Sequence, residues 1–202
     1  MAFEPVNRRK AMQLLALTMG GTAVASSALF ATENKEEHGQ PEPVFIPASM
    51  GKRGKIGDGD IFFKLNKKQT SGLLGTAESV LLPGTLGAPP HYHKGFDEIC
   101  RVLEGTLTIM VGKELFEVDA GDWHLRPKSI VHSFWNSGKA PVRFIEMYVP
   151  GGHEAYMSDL ADLFINNARP KPGDLDKLAQ KYDITFVWPM LQEIISKYKV
   201  HL

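Results

Sequence analysis

Gly105-Thr106-Leu107-Thr108-Ile109-Met110-Val111-Gly112-Lys113-Glu114-Leu115-Phe116-Glu117-Val118 holds two short apolar runs parted by a Gly-Lys-Glu turn. Apolar or alternating residues on both sides of such a turn predict a β-hairpin. Outward from it, between Ile61 and Val149, the same grammar recurs in Leu73-Leu74 and Val80-Leu81-Leu82, with Gly, Pro, Asn or Asp between the runs. The runs are too short for helices and read as strands. Roughly eight or more strands in about 90 residues suit one closed or double-sheet barrel. No internal repeat is visible, so a single barrel is expected.

The chain has 202 residues, 43% hydrophobic and 23% charged, which suits one globular domain with an appendage. Lys+Arg and Asp+Glu are both 23, a formal charge of +0. That balance argues against a nucleic-acid binder, whose surface must neutralise phosphates. Cys100 is the one cysteine, which excludes an internal disulfide, a CxxC redox pair and a Cys-based zinc cluster. In an apolar strand it is expected to be an inert, packed thiol.

Asn7-Arg8-Arg9-Lys10 followed by the moderately apolar Leu14 to Ala25 has the layout of an export signal. The apolar stretch falls short of the roughly 20 residues that span a bilayer. Ala23-Val24-Ala25 offers a small-x-small cleavage site, with Ala31 as the alternative. Arg8-Arg9, ahead of a stretch diluted by Thr18, Gly20, Gly21 and Thr22, resembles a twin-arginine leader. Ala11-Met12-Gln13 stands where such leaders usually carry Phe-Leu-Lys, and an ordinary secretory signal and a retained membrane anchor are the alternatives. The expected divisions are an export signal over 1–31, a flexible linker over 32–55, a β-barrel over 56–150 and a helical extension over 151–202. The expected location is the periplasm or outside the cell, with no stable membrane insertion after processing.

In the extension, Tyr156, Leu160, Leu163 and Phe164 share one face of a helix. Asp174 reads as the N-cap of a second helix, Ile184 to Trp188 as extended, and Leu191 to Tyr198 as a last short helix. The tail is expected to pack on the barrel wall, with a lid over the barrel mouth as the sharper alternative.

Pro90-His91-Tyr92-His93-Lys94-Gly95-Phe96-Asp97-Glu98 carries the chemistry. On a strand, residues two apart face the same way, so His91 and His93 can converge on one ion. Glu98 can return to that face through the Lys94-Gly95 turn. His132 lies in a second apolar strand, where a lone imidazole is costly to bury. Three imidazoles and a carboxylate suit one divalent transition metal, namely iron, nickel, copper, manganese or zinc. Asp97 would replace Glu98 only if the turn slipped by one residue. His124 reads as a surface or strand-edge residue, and His153 as a helix cap or a contact behind the ligands.

These residues resemble the first cupin motif, His91, His93, Glu98 and Gly105, and then the second, Gly121, Pro127, Ser129, His132 and Asn136. Ser129 stands where the second motif has Gly, and the leading Gly of the first is either Gly84 or Gly87. The resemblance implies an all-β fold, a double-stranded β-helix or jelly-roll barrel, with a C-terminal helical extension. Within the cupins the chain resembles the single-domain quercetin dioxygenase-like group, through Val149-Pro150-Gly151-Gly152-His153-Glu154-Ala155-Tyr156 and Lys181-Tyr182-Asp183-Ile184-Thr185-Phe186. That likeness implies Glu98 as both ligand and general base, its basicity raised by an apolar pocket. It also implies a dioxygenase acting on a small enolisable or aromatic, flavonol-like molecule, and a homodimer. A metal-dependent isomerase or hydrolase of a small acid or sugar, and a non-catalytic binding module, are the competing classes.

Overall fold

A computed structural model describes residues 42–165 and 170–202. The expected leader, with Arg8, Arg9, Ala25 and Ala31, and the first part of the expected linker lie outside the described residues.

The barrel strands are β1 (Lys52–Ile56), β2 (Gly59–Phe63), β3 (Gly75–Leu81), β4 (Leu86–His93), β5 (Asp97–Glu104), β6 (Thr106–Val111), β7 (Glu114–Asp119), β8 (Trp123–Arg126), β9 (His132–Trp135) and β10 (Val142–Val149). After them come α1 (His153–Leu163), α2 (Pro172–Gln180), β11 (Ile184–Phe186) and α3 (Trp188–Tyr198). Two antiparallel sheets result, ordered β1-β2-β3-β10-β5-β8 and β11-β4-β9-β6-β7. Their inner faces meet in a core of Leu81, Cys100, Val102, Val142 and Phe144 from one sheet and Leu107, Ile109, Val118 and Phe134 from the other. The fold is the expected all-β sandwich with a helical tail.

The opening stretch forms the predicted hairpin, with Val111 opposite Glu114 and Thr106 opposite Asp119. Its loop is Gly112-Lys113, one residue shorter than the sequence suggests, because Glu114 already pairs. Gly112 takes φ +60°, the left-handed turn conformation that glycine adopts without penalty.

The linker boundary needs correction. Residues 52–55, expected in the linker, pair with β2 from Lys52 opposite Phe63 to Ile56 opposite Gly59. Lys52-Arg53-Gly54-Lys55-Ile56 looks unlike a strand because it is an edge strand with exposed basic side chains.

The tail also departs in detail. Leu163 is exposed, while Tyr156, Leu160 and Ala161 are buried. Asp174 sits third in α2 rather than at its cap, and its Oδ2 accepts from the Lys171 backbone N–H at 3.3 Å. Pro172 starts that helix three residues earlier than a cap at Asp174 would, since its fixed φ suits the first helical turn. Pro189 does the same for α3, which takes in Trp188.

Candidate metal centre

β4 and β9 belong to one sheet and β5 to the other, and the centre lies where their inner faces meet. His91 is the cross-strand partner of His132 in the β4–β9 ladder. Their rings lie 4.4 Å apart, and the His93 ring is 4.9 Å from that of His132. Glu98 faces them from β5, where burial alternates so that Glu98, Cys100 and Val102 point inward and Asp97 does not. Asp97 instead accepts a hydrogen bond from the Lys128 backbone N–H at 2.8 Å. One ligand atom from each of His91, His93, Glu98 and His132 lies within 4.8 Å of the others, and all four residues are buried.

The imidazoles are oriented from behind. His91 Nδ1 meets the Pro89 carbonyl at 2.8 Å and His132 Nδ1 meets the Ile130 carbonyl at 2.9 Å. A proton held on Nδ1 leaves each Nε2 with a free lone pair, the tautomer that a metal requires. His93 stacks on Phe96 at 3.6 Å. His132 Nε2 and both ring nitrogens of His93 are buried with no hydrogen-bond partner among the described residues. Buried polar atoms are rarely left so, and ligation would satisfy them. Burial lowers the pKa of His91 to about 4 and that of His132 to about 2, so both are neutral near pH 7. The cluster therefore fits a divalent metal.

The position where the second motif has glycine is strained. Ser129 adopts φ +65° and its N–H donates to the His93 carbonyl at 2.7 Å, so the loop conformation is kept without the glycine. Asn136 donates from Nδ2 to the Leu81 and Ala140 carbonyls and accepts from Gly138 N–H, tying this sheet to the end of β3. The two candidate leading glycines divide the work. Gly84 turns the chain at φ +73°, whereas Gly87 lies in β4 against Phe134, whose ring any Cβ there would overlap.

Residues 77–148 match the family model of the cupin domain. Over those residues the chain is similar to the cupin domain. A predicted oxalate decarboxylase from Thermotoga maritima superposes with TM-score 0.50 and 20% identity, over 53% of this chain and 99% of its own. KdgF from Halomonas sp. gives TM-score 0.49 and 17% identity over 55% and 99%. An RmlC-like cupin from Shewanella frigidimarina gives 0.48 and 17% over 56% and 96%. Identities this low speak for the fold alone. No curated protein matches the sequence.

Three residues that the sequence motifs do not mark complete the centre. Arg126, fully buried, places Nη2 3.0 Å from Glu98 Oε2 and 2.5 Å from Glu146 Oε1. Tyr148 donates to Glu146 Oε2 at 3.1 Å. Glu146 was detectable as a charge on an inward position of β10, whose buried residues alternate as Val142, Phe144, Glu146 and Tyr148. Arg126 was not, because β8 inverts the usual pattern by exposing Trp123 and Leu125 and burying Arg126. His124, beside it, is a strand-edge residue packed on Phe116, as expected.

Glu98 departs from the expectation that an apolar pocket raises its basicity. Burial does push its pKa up, but Arg126 foremost, then His93, His132 and His153, hold the carboxyl well below its ordinary value. It is an ionised carboxylate, suited to ligation and a weak proton acceptor. His153 is buried on α1 with Nε2 3.6 Å from Glu98 Oε1, a contact behind the ligands. Cys100 is fully buried, and burial pushes its thiol up to about 12, so it is inert.

The centre opens into a cavity of about 180 Å³. Its polar end carries His91, Glu98, Glu146 and His153, and its body is walled by apolar groups including Phe134, Tyr156, Met157, Leu160, Phe164 and Phe186. The tail thus walls the cavity instead of merely packing on the outside of the barrel. Among the described residues no helix is long and apolar enough to cross a membrane.

Proposed function

We propose that this cupin is a metal-dependent oxygenase of the quercetin dioxygenase-like kind, with His91, His93, Glu98 and His132 as ligands. Its substrate is a small enolisable or aromatic molecule that offers one oxygen to the ion. The observation that carries this reading is the cavity lining, which among the described residues contains no Lys or Arg. Beyond the charge that the bound ion itself neutralises, a small acid or a sugar phosphate would find no cation in the described wall, and a second negative charge buried there would be costly. An aromatic body finds Phe134, Tyr156 and Phe186 to pack against. A bound divalent ion would lower the pKa of a coordinated hydroxyl. Deprotonation at the site then asks little of Glu98, which stays ionised and acts as a ligand.

The test is oxygen uptake with a flavonol or another enolisable aromatic, beside an anaerobic control and a His91→Ala, His132→Ala variant. Uptake that falls to background in the variant, along with its bound metal, is the expected result. Turnover that is unchanged without oxygen moves the protein to the isomerase or hydrolase class, and a wild-type protein that holds metal and ligand without turnover is a binding module.

The basic and apolar order of residues 7–25 supports export, by the twin-arginine route if the pair Arg8-Arg9 is read by its receptor. Export should stop when both are replaced by Lys, and unaltered secretion after that change would assign an ordinary signal.

A further inference from the structure

We propose that Arg126, anchored by Glu146, is a positioning residue that confines Glu98 to one metal-facing oxygen. The inference rests on the metal-site reading and is independent of which reaction follows. Glu98 sits on β5 between two register partners, Arg126 on β8 and Tyr148 on β10. Arg126 engages Oε2 at 3.0 Å, an oxygen that also lies 3.7 Å from His132 Nε2, while Oε1 faces His93 at 3.4 Å and His153 at 3.6 Å. A carboxylate whose second oxygen is committed to a guanidinium offers an ion its first oxygen only.

The guanidinium cannot drift to serve both oxygens. Its Nη2 also donates to Glu146 Oε1 at 2.5 Å, and Glu146 is held in turn by the Tyr148 hydroxyl. Arg126 further lies over the Phe134 ring, 5.0 Å from its centroid. Arg126 Nε and Nη1 have no hydrogen-bond partner among the described residues. The whole polar grip of this buried cation therefore falls on the two carboxylates, a costly arrangement to retain in a core for packing alone. Single-oxygen ligation by Glu98 keeps room around the ion for substrate.

The experiment measures cobalt(II) affinity and the visible absorption of the cobalt-loaded full chain for wild type, Arg126→Met and Glu146→Gln, with the fold of each apo form followed by circular dichroism. In Arg126→Met, affinity is expected to fall about 10–100-fold. The absorption should weaken as Glu98 turns to bind through both oxygens and the coordination number rises. Affinity within about twofold of wild type and an unaltered spectrum would overturn the proposal. So would lost affinity with an unchanged spectrum, which assigns Arg126 to stability alone. If Arg126→Met does not fold, Glu146→Gln decides. It is expected to weaken cobalt binding by up to about tenfold with the same spectral change, and the absence of both overturns the anchoring. A wild-type chain that binds no cobalt overturns the metal site itself, whereas an unaltered variant overturns only the role of Arg126.

Discussion

The two walls of the cavity are built by different rules. The wall bearing His91, Glu98 and His132 comes from three strands in two sheets, where register pairs His91 with His132 and Glu98 with Arg126. The opposite wall, with Tyr156, Met157, Leu160 and Phe164, comes from α1 and the residue after it, held by packing against Leu178, Ala179 and Ile184. The first wall is polar, ionic and fixed by backbone ladders. The second is apolar apart from His153 at its start and is fixed by side-chain contact, so substitution at its apolar residues changes shape without changing charge. The comparison teaches that metal chemistry and substrate shape are assigned to separable parts of the chain.

Removing packing from the helical wall alone should break the comparison most visibly if the two walls are in fact coupled. Leu160→Ala is expected to cost roughly 2–5 kcal/mol, read as a lowered denaturant midpoint. Metal content should stay at the wild-type level, and metal lost in parallel with stability would show that the walls are not separable.

The polar wall should reveal itself through pH. His91 and His132 titrate in the folded chain at about 4 and about 2, and His153 at about 3, against an ordinary 6.5. The unfolded chain therefore takes up protons first as pH falls. Stability of the metal-free protein is expected to be full above about pH 6.5 and to decline from there toward pH 4, with Glu98 adding to the loss below its ordinary value of 4.5. Thermal melts of chelator-treated protein between pH 4 and 8 check this, and Leu160→Ala should shift the curve down without changing its slope.

The smallest effect concerns the loop behind His93. Ser129→Gly relieves a left-handed residue and is expected to stabilise by about 1 kcal/mol, the strain relieved exceeding the chain entropy lost. Equal or lower stability would mean that Ser129 contributes more than its backbone N–H.

How much of this was legible varied by region. His91 and His93 share a face because strand side chains alternate, and the Lys94-Gly95 turn brings Glu98 back to them from β5, so their convergence could be read from spacing and the turn. The β6–β7 hairpin was equally plain, because its turn and both apolar runs are local. β1 was missed because its basic, exposed residues carry no apolar alternation. Arg126 was missed because β8 buries its polar positions and exposes Trp123 and Leu125, the reverse of what composition suggests. Glu98 was misjudged as a base for the same reason, since the cation that holds it ionised comes from a strand 25 or more residues away in the chain.

Sequence by itself determined the strands with apolar runs, the pairing of His91 with His93 on one face and the helical tail, since each depends on periodicities of two or 3.6 residues that the chain displays locally. Only the tertiary structure decided the protonation of Glu98, the grip of Arg126 and Glu146, and the apolar wall contributed by α1. Those depend on which distant strands become neighbours and on how far water is excluded from between them. Charges interact through that dry space, along no path that the order of residues records.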